Sequence, residues 1–221
     1  MSAAREAVLG TIRKALSKRK TGAAQVATRV AVHGRNLVPE RGRVSGRAAV
    51  DDFQRMATDA AASVVRVASW KDLPGAVQDI LRRDNFAARL VMAPDARLRA
   101  LPWRERMLEV REGRAEPDDA VSVGRALAAV AETGTLMLAS GPDSPTTLGF
   151  LPELHIVAVD AADVVGAYED GWDRVRAKGA MPRTVNFITG PSRSADIEQT
   201  LQMGAHGPRK LAIVIVDEEA G

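Results

Sequence analysis

The chain has 221 residues, room for one sizeable core with an appendage, and no cysteine, which excludes disulfides, thiolate nucleophiles and cysteine-held zinc or iron-sulfur clusters. Its three histidines, His33, His155 and His206, lie far apart without ligand spacing, so no metal site is expected. Residues 1–47 hold eleven Lys and Arg against Glu6 and Glu40, a local +9, so the rest of this +3 chain stands at −6, and a mildly acidic body argues against a nucleic-acid groove.

The first segment, "AREAVLGTIRKALSKRK", sets Val8, Leu9, Ile12 and Leu16 on one stripe at helical spacing, with basic residues elsewhere. A helix this short is marginal alone in water, so it is expected to dock on the body, on a sister subunit, on a partner or on an acidic surface. The next stretch, "TGAAQVATRVAVHGRNLVPERGRVSGR", sustains no period and reads as an extended linker with His33 on its surface. Residues 1–47 are thus expected to form a basic helical arm and linker ahead of an α/β domain over 48–221. No apolar run nears the ~20 residues of a membrane span and no signal-peptide core precedes the helix, which predicts a soluble, cytoplasmic protein.

From residue 50 the text alternates helical periods with short β-branched runs. Helices are expected at 50–62, at 69–84 with Pro74 near the start, at 161–178 and at 194–204. Strands are expected at 63–68, 88–93, within 120–131, at 134–140, 155–160, 184–190 and 211–217. This alternation predicts an α/β fold with an open, largely parallel, buried sheet flanked by helices. Ligands of such sheets bind beyond the carboxyl ends of the strands, and three loops are candidates for that position.

The first is "AETGTL", where Glu132 interrupts apolar sequence; a buried, unpaired carboxylate would cost more than a domain can carry, so Glu132 is expected to be paired or to face a cleft. The alternative is a hairpin turn with Glu132 exposed, its threonines satisfying backbone groups. The second is "LPELHIVAVD", whose strand opens on His155, placed to act as acid, base or orienter, or else half-buried against a loop carbonyl. The third is "FITGPSRSADIE": Gly190-Pro191 makes a turn, Ser194 is the expected N-cap, and Asp196 and Glu198 fill the first turn. Free amides, Ser192 and Arg193 there suit a small anion, whereas the two carboxylates oppose it. Neither phosphate-loop signature is present. His206, between a Gly204 C-cap and the Gly207-Pro208 turn, is expected at the opposite end of the sheet from Ser192. Glu132 and His155 are the catalytic candidates, with Thr133, Gly134, Thr135, Gly190, Ser192, Arg193 and Ser194 as ligand-binding candidates in one shared cleft.

Taken in order, "AETGTL", "LPELHIVAV" and "GPSRSADIEQTLQMGAHGPRKLAIVIVD" resemble the LUD-domain family over roughly residues 50–218, and "VLGTIRKAL" resembles its leading helix. The resemblance implies a fold like the sugar-phosphate isomerase and CoA-transferase group. It also implies a part in oxidising L-lactate to pyruvate, as the non-cluster subunit beside two partner proteins that carry iron-sulfur clusters. Two other readings remain: a stand-alone enzyme on a small carboxylate, sugar phosphate or CoA ester, with Glu132 as base or nucleophile and Arg193 as anion clamp; or an assembly protein whose arm docks an acidic partner. Homo-oligomerisation is left open.

Overall fold

The computed structural model describes residues 3–17, 22–32, 34–196, 200–203 and 206–217. It divides into two units, Met1–Leu37 and Val38–Gly221. In the first, α1 (Ala3–Ser17) buries no residue, and its stripe of Val8, Ile12 and Leu16 is exposed. The second helix, α2 (Ala23–Ala31), replaces the expected extended linker, because the alanine-rich run "AAQVATRVA" has high intrinsic helix propensity. His33 lies outside the described residues.

Residues 38–47, read from sequence as linker, belong to the larger unit. Their segment leads into α3 (Gly46–Asp59), whose Ala49, Val50, Phe53 and Ala57 form one buried stripe at helical spacing. The chain continues through β1 (Ser63–Val67), α4 (Leu73–Arg83), β2 (Arg89–Met92), α5 (Ala96–Arg99), β3 (Glu109–Glu112) and β4 (Val121–Arg125). Next come β5 (Ala128–Val130), β6 (Thr135–Ala139), β7 (Leu154–Asp160), β8 (Val164–Val165) and α6 (Tyr168–Ala177). The last elements are β9 (Val185–Ile188), β10 (Arg193–Asp196), β11 (Thr200–Met203) and β12 (Lys210–Val216).

Six strands form a parallel sheet in the order β1-β12-β7-β4-β2-β3. Its central strands are apolar on both faces, as the near-continuous runs "HIVAVD" and "LAIVIV" require. One face of β7 and β12, with Ile156, Ala158, Ala212 and Val214, packs on α4 through Leu73, Val77, Ile80 and Leu81. The other face, with Val157, Val159, Ile213 and Ile215, packs on α3 and on a second sheet through Phe53, Ala129, Leu136 and Leu138. That second sheet has the order β8-β5-β6-β9, with β6 antiparallel to both β5 and β9. Its outer face, Ala128, Val130 and Met137, is covered by Val175 of α6.

Several expectations change here. The single strand region at 120–131 is two strands in different sheets, and the expected strands at 134–140 and 184–190 pair with each other outside the parallel sheet. The helix expected at 161–178 starts only at Tyr168, since Val164–Val165 adds an edge strand beside β5. The short edge strand β3, with the charged sequence "EVRE", carries no apolar run to signal it. Most consequential, the described residues of 194–204 form strands and no helix: β10 and β11 pair antiparallel, Arg193 opposite Met203 and Asp196 opposite Thr200. Antiparallel pairing returns the chain to its starting point, which a helix over the same residues does not. Ser194 is therefore no N-cap, Asp196 is in no helical turn, and Glu198 and Gly204 lie outside the described residues.

Candidate functional site

None of the three loops singled out in the sequence follows a strand of the parallel sheet. Glu132 sits in the β5–β6 hairpin, His155 lies at the amino end of β7, and Gly190 follows β9 of the second sheet. The structure does bring two of them together, at the amino edge of the parallel sheet, around a cavity of about 220 Å³. Thr189, Ser192, His155 and His206 form its polar wall, while Phe150, Ile188 and Leu211 form an apolar one. Among the described residues no Asp, Glu, Lys or Arg lines it.

His155 is placed by strand register: it pairs with Ser122 on one side and Leu211 on the other, and alternation turns it toward the second sheet. Ser122 is itself fixed, donating its hydroxyl to the Leu148 carbonyl at 2.6 Å. The imidazole is 1% exposed and its Nε2 has no hydrogen-bond partner. Two glycines make room for the ring, because a Cβ on Gly124 would come within 3.3 Å of Nε2 and one on Gly149 within 3.5 Å of Cε1. Burial pushes the His155 imidazole down to about 4, so it is neutral near pH 7.

The turn carrying Ser192 is held by backbone. Gly190 has φ +71°, and a Cβ there would meet the Ala60 carbonyl oxygen at 2.1 Å, so only glycine fits. Ser192 then donates its backbone N–H to the Pro208 carbonyl at 2.9 Å, and the His206 N–H reaches the Ser192 hydroxyl at 3.4 Å. This overturns the placement of His206 at the far end of the sheet: the β10–β11 hairpin returns it beside Ser192. The anion clamp is also corrected, since the Arg193 guanidinium donates to the Ala60 carbonyl at 2.5 Å and does not line the cavity.

Glu132 does sit in a hairpin turn, yet it is 7% exposed and does not line the cavity. Its Oε2 is buried without a hydrogen bond, 3.9 Å from the Arg41 guanidinium, under the segment that carries Gly42. The two neighbouring threonines do connect to the cavity. Thr135, fully buried, is hydrogen-bonded to Thr133 at 2.7 Å, Tyr168 at 2.9 Å and Thr189 at 2.6 Å, and Thr133 meets Tyr168 at 2.8 Å. Gly134, at φ +65°, seats this turn against α3: a Cβ would lie 2.3 Å from the Ala57 nitrogen. Sequence reasoning missed Tyr168 and Thr189; the former is the only tyrosine in the chain, the one signal available.

The arrangement can hold a small molecule with one apolar and one hydrogen-bonding side, offering it two hydroxyls and a neutral, buried imidazole. Among the described residues no group of three or more His, Asp or Glu is arranged to hold a metal ion, and no helix is long and apolar enough to cross a membrane.

Comparison with known proteins matches residues 50–216 to the model of the LUD domain. An uncharacterized protein of Neisseria meningitidis is 40% identical over 88 residues, 39% of this chain and 38% of its own length. Lactate utilization protein C of Bacillus subtilis is 39% identical, and that of Geobacillus thermodenitrificans 38%, each over 93 residues, 40% of this chain and 39% of theirs. The chain thus aligns to about two fifths of the length of the curated relatives it matches. The crystal structure of a DUF162 family protein from Deinococcus radiodurans superposes with a TM-score of 0.60 at 25% identity, covering 79% of this chain and 99% of that one. The α/β fold is common to both.

Proposed function

The chain belongs to the LUD-domain family, and from that premise we propose that it is a lactate-utilisation protein of the C type, acting as the cluster-free subunit of a system that oxidises L-lactate to pyruvate. Two electrons and two protons must leave L-lactate in that conversion. With no cysteine, the chain has no thiolate to hold an iron-sulfur cluster, so the electrons pass to clusters on two partner proteins, in the cytoplasm.

The observation that carries the reading of the site is the buried His155, its Nε2 without a partner, on the wall of a cavity beside Ser192 and Thr189. Its size suits a metabolite smaller than the ligands of typical ~300–1,000 Å³ pockets. The methyl group of a 2-hydroxy or 2-oxo acid meets Phe150, Ile188 and Leu211, and its oxygens meet Ser192, Thr189 and the imidazole. A neutral His155 hydrogen-bonds such a ligand without adding charge. Gly190 shapes the turn by its backbone, while Thr133 and Thr135 support the wall through Thr189; Glu132 and Arg193 have structural parts.

Complementation tests this. In a strain lacking the gene and any other lactate oxidase, the wild-type gene restores growth on L-lactate, whereas genes carrying His155→Asn or Ser192→Ala do not, although both proteins accumulate. Undiminished growth of the deletion strain would overturn the role, and full rescue by both variants would overturn the site.

A further inference from the structure

The carboxyl edge of the parallel sheet, where ligands of such folds bind, is not used by the site above. It carries a separate cleft of about 900 Å³, running from Pro94 beyond β2 and Gly113 beyond β3 to the loop after β6. Arg114 and Arg183 line it together with Ser140, Ser144, Thr146 and Thr184.

Other charges at this edge are spent on one another. Asp160 accepts from Trp70 Nε1 and from Arg97, each at 2.7 Å, and Asp95 accepts from Arg125 at 3.0 Å. Arg114 and Arg183 have no carboxylate partner among the described residues, although acidic residues outnumber basic ones after residue 47. Asp143 is the acid in the adjoining turn; it lines a smaller hollow with Lys178 and does not line this cleft.

The rim is fixed before anything binds. Ser140 and Thr184 exchange hydrogen bonds, the Ser140 N–H donating to the Thr184 carbonyl at 2.9 Å and the Thr184 N–H to the Ser140 hydroxyl at 3.0 Å. Gly141 and Ser144 close a turn on each other at 3.2 and 3.1 Å, and the Ala115 N–H donates to Thr147 at 3.1 Å, tying the Arg114 segment to the opposite wall. Two arginines lining one cleft with several hydroxyl side chains, and no acid in the lining, suit paired oxyanions.

We propose that this cleft is a second binding site, for a small molecule carrying at least two anionic oxygen groups, held between Arg114 and Arg183. Phosphate esters and polycarboxylates share that chemistry, and the test separates them. Calorimetric titration of the full chain with inorganic pyrophosphate and with citrate should give one saturable site for at least one probe, weakening as salt is added. Arg114→Gln and Arg183→Gln should each lower that affinity by about tenfold or more, the loss expected when a charge-assisted hydrogen bond is removed, with melting temperatures unchanged. Binding of pyrophosphate alone assigns a phosphorylated ligand, and of citrate alone a polycarboxylate. His155→Asn, in the other cavity, should leave the binding intact. No saturable binding of either probe at millimolar concentration, or binding indifferent to both arginine substitutions, overturns the proposal without touching the lactate reading.

Discussion

His155→Asn removes a titrating group from the core while keeping a polar side chain of similar reach. The wild-type imidazole falls from 6.5 to about 4 because burial disfavours its charged form. Between those values the unfolded chain binds a proton that the folded chain refuses, so stability rises with pH through this window. The contribution is complete above about pH 6.5 and is lost as pH falls toward 4, a difference of about 3 kcal/mol against a usual total of ~5–15 kcal/mol. Urea unfolding of both proteins at pH 7 and pH 4.5 measures it. Carboxylates such as Glu112, held low by the hydrogen bond from Arg99, lose stability on acidification in both proteins and cancel in the comparison. The variant is less stable at pH 7, yet its loss between the two pH values should be smaller by about 2–3 kcal/mol. Equal losses would mean that His155 is hydrated and charges in place, and the buried, neutral imidazole would have to be abandoned.

Gly134→Ala drives a methyl group to 2.3 Å from the Ala57 nitrogen at a positive φ; thermal unfolding should show a loss of at least ~3 kcal/mol or no soluble protein. Glu132→Gln keeps the shape of a side chain that the cavity does not touch. Complementation on L-lactate should therefore be retained, with unfolding free energy changed by no more than ~1–2 kcal/mol, since Arg41 stands 3.9 Å away and is 70% exposed.

The α/β class was legible because β7 and β12 carry uninterrupted apolar runs, 156–159 and 211–216, a pattern that a sheet buried on both faces needs. The second sheet was not, because "GTLMLAS" and "TVNFITG" read like parallel-sheet strands when their partners are unknown; β6 and β9 pair antiparallel across some fifty residues. The 194–204 segment misled for a related reason: Ser194 with Asp196 and Glu198 resembles a helix start, and the pairing of Arg193 with Met203 and of Ser192 with Pro208, which brings both ends together, is not written in local sequence. Once that helix is replaced by a hairpin, the objection to His206 disappears. Ser192 and His155 were legible as polar residues beside glycine and proline turns. Thr189 was not, because its part depends on Thr135, fifty-four residues away.

The three sequence stretches that seemed to belong to one cleft are related through α3. Gly134 closes on Ala57, in the last turn of α3, and Gly190 on Ala60, the residue that caps that helix. Arg193 adds a hydrogen bond to the same Ala60 carbonyl. The carboxyl end of α3 and its Ala60 cap therefore act as a common seat for both glycine turns, and each turn needs glycine because backbone meets backbone there. Seated side by side, the turns bring Thr135 and Thr189 within 2.6 Å, and Thr189 continues to the wall that Ser192 and His155 share. Glu132 and His155 are thus parts of one construction without facing one ligand: the first lies under the Gly42 segment, and the second lines the cavity that the turns enclose.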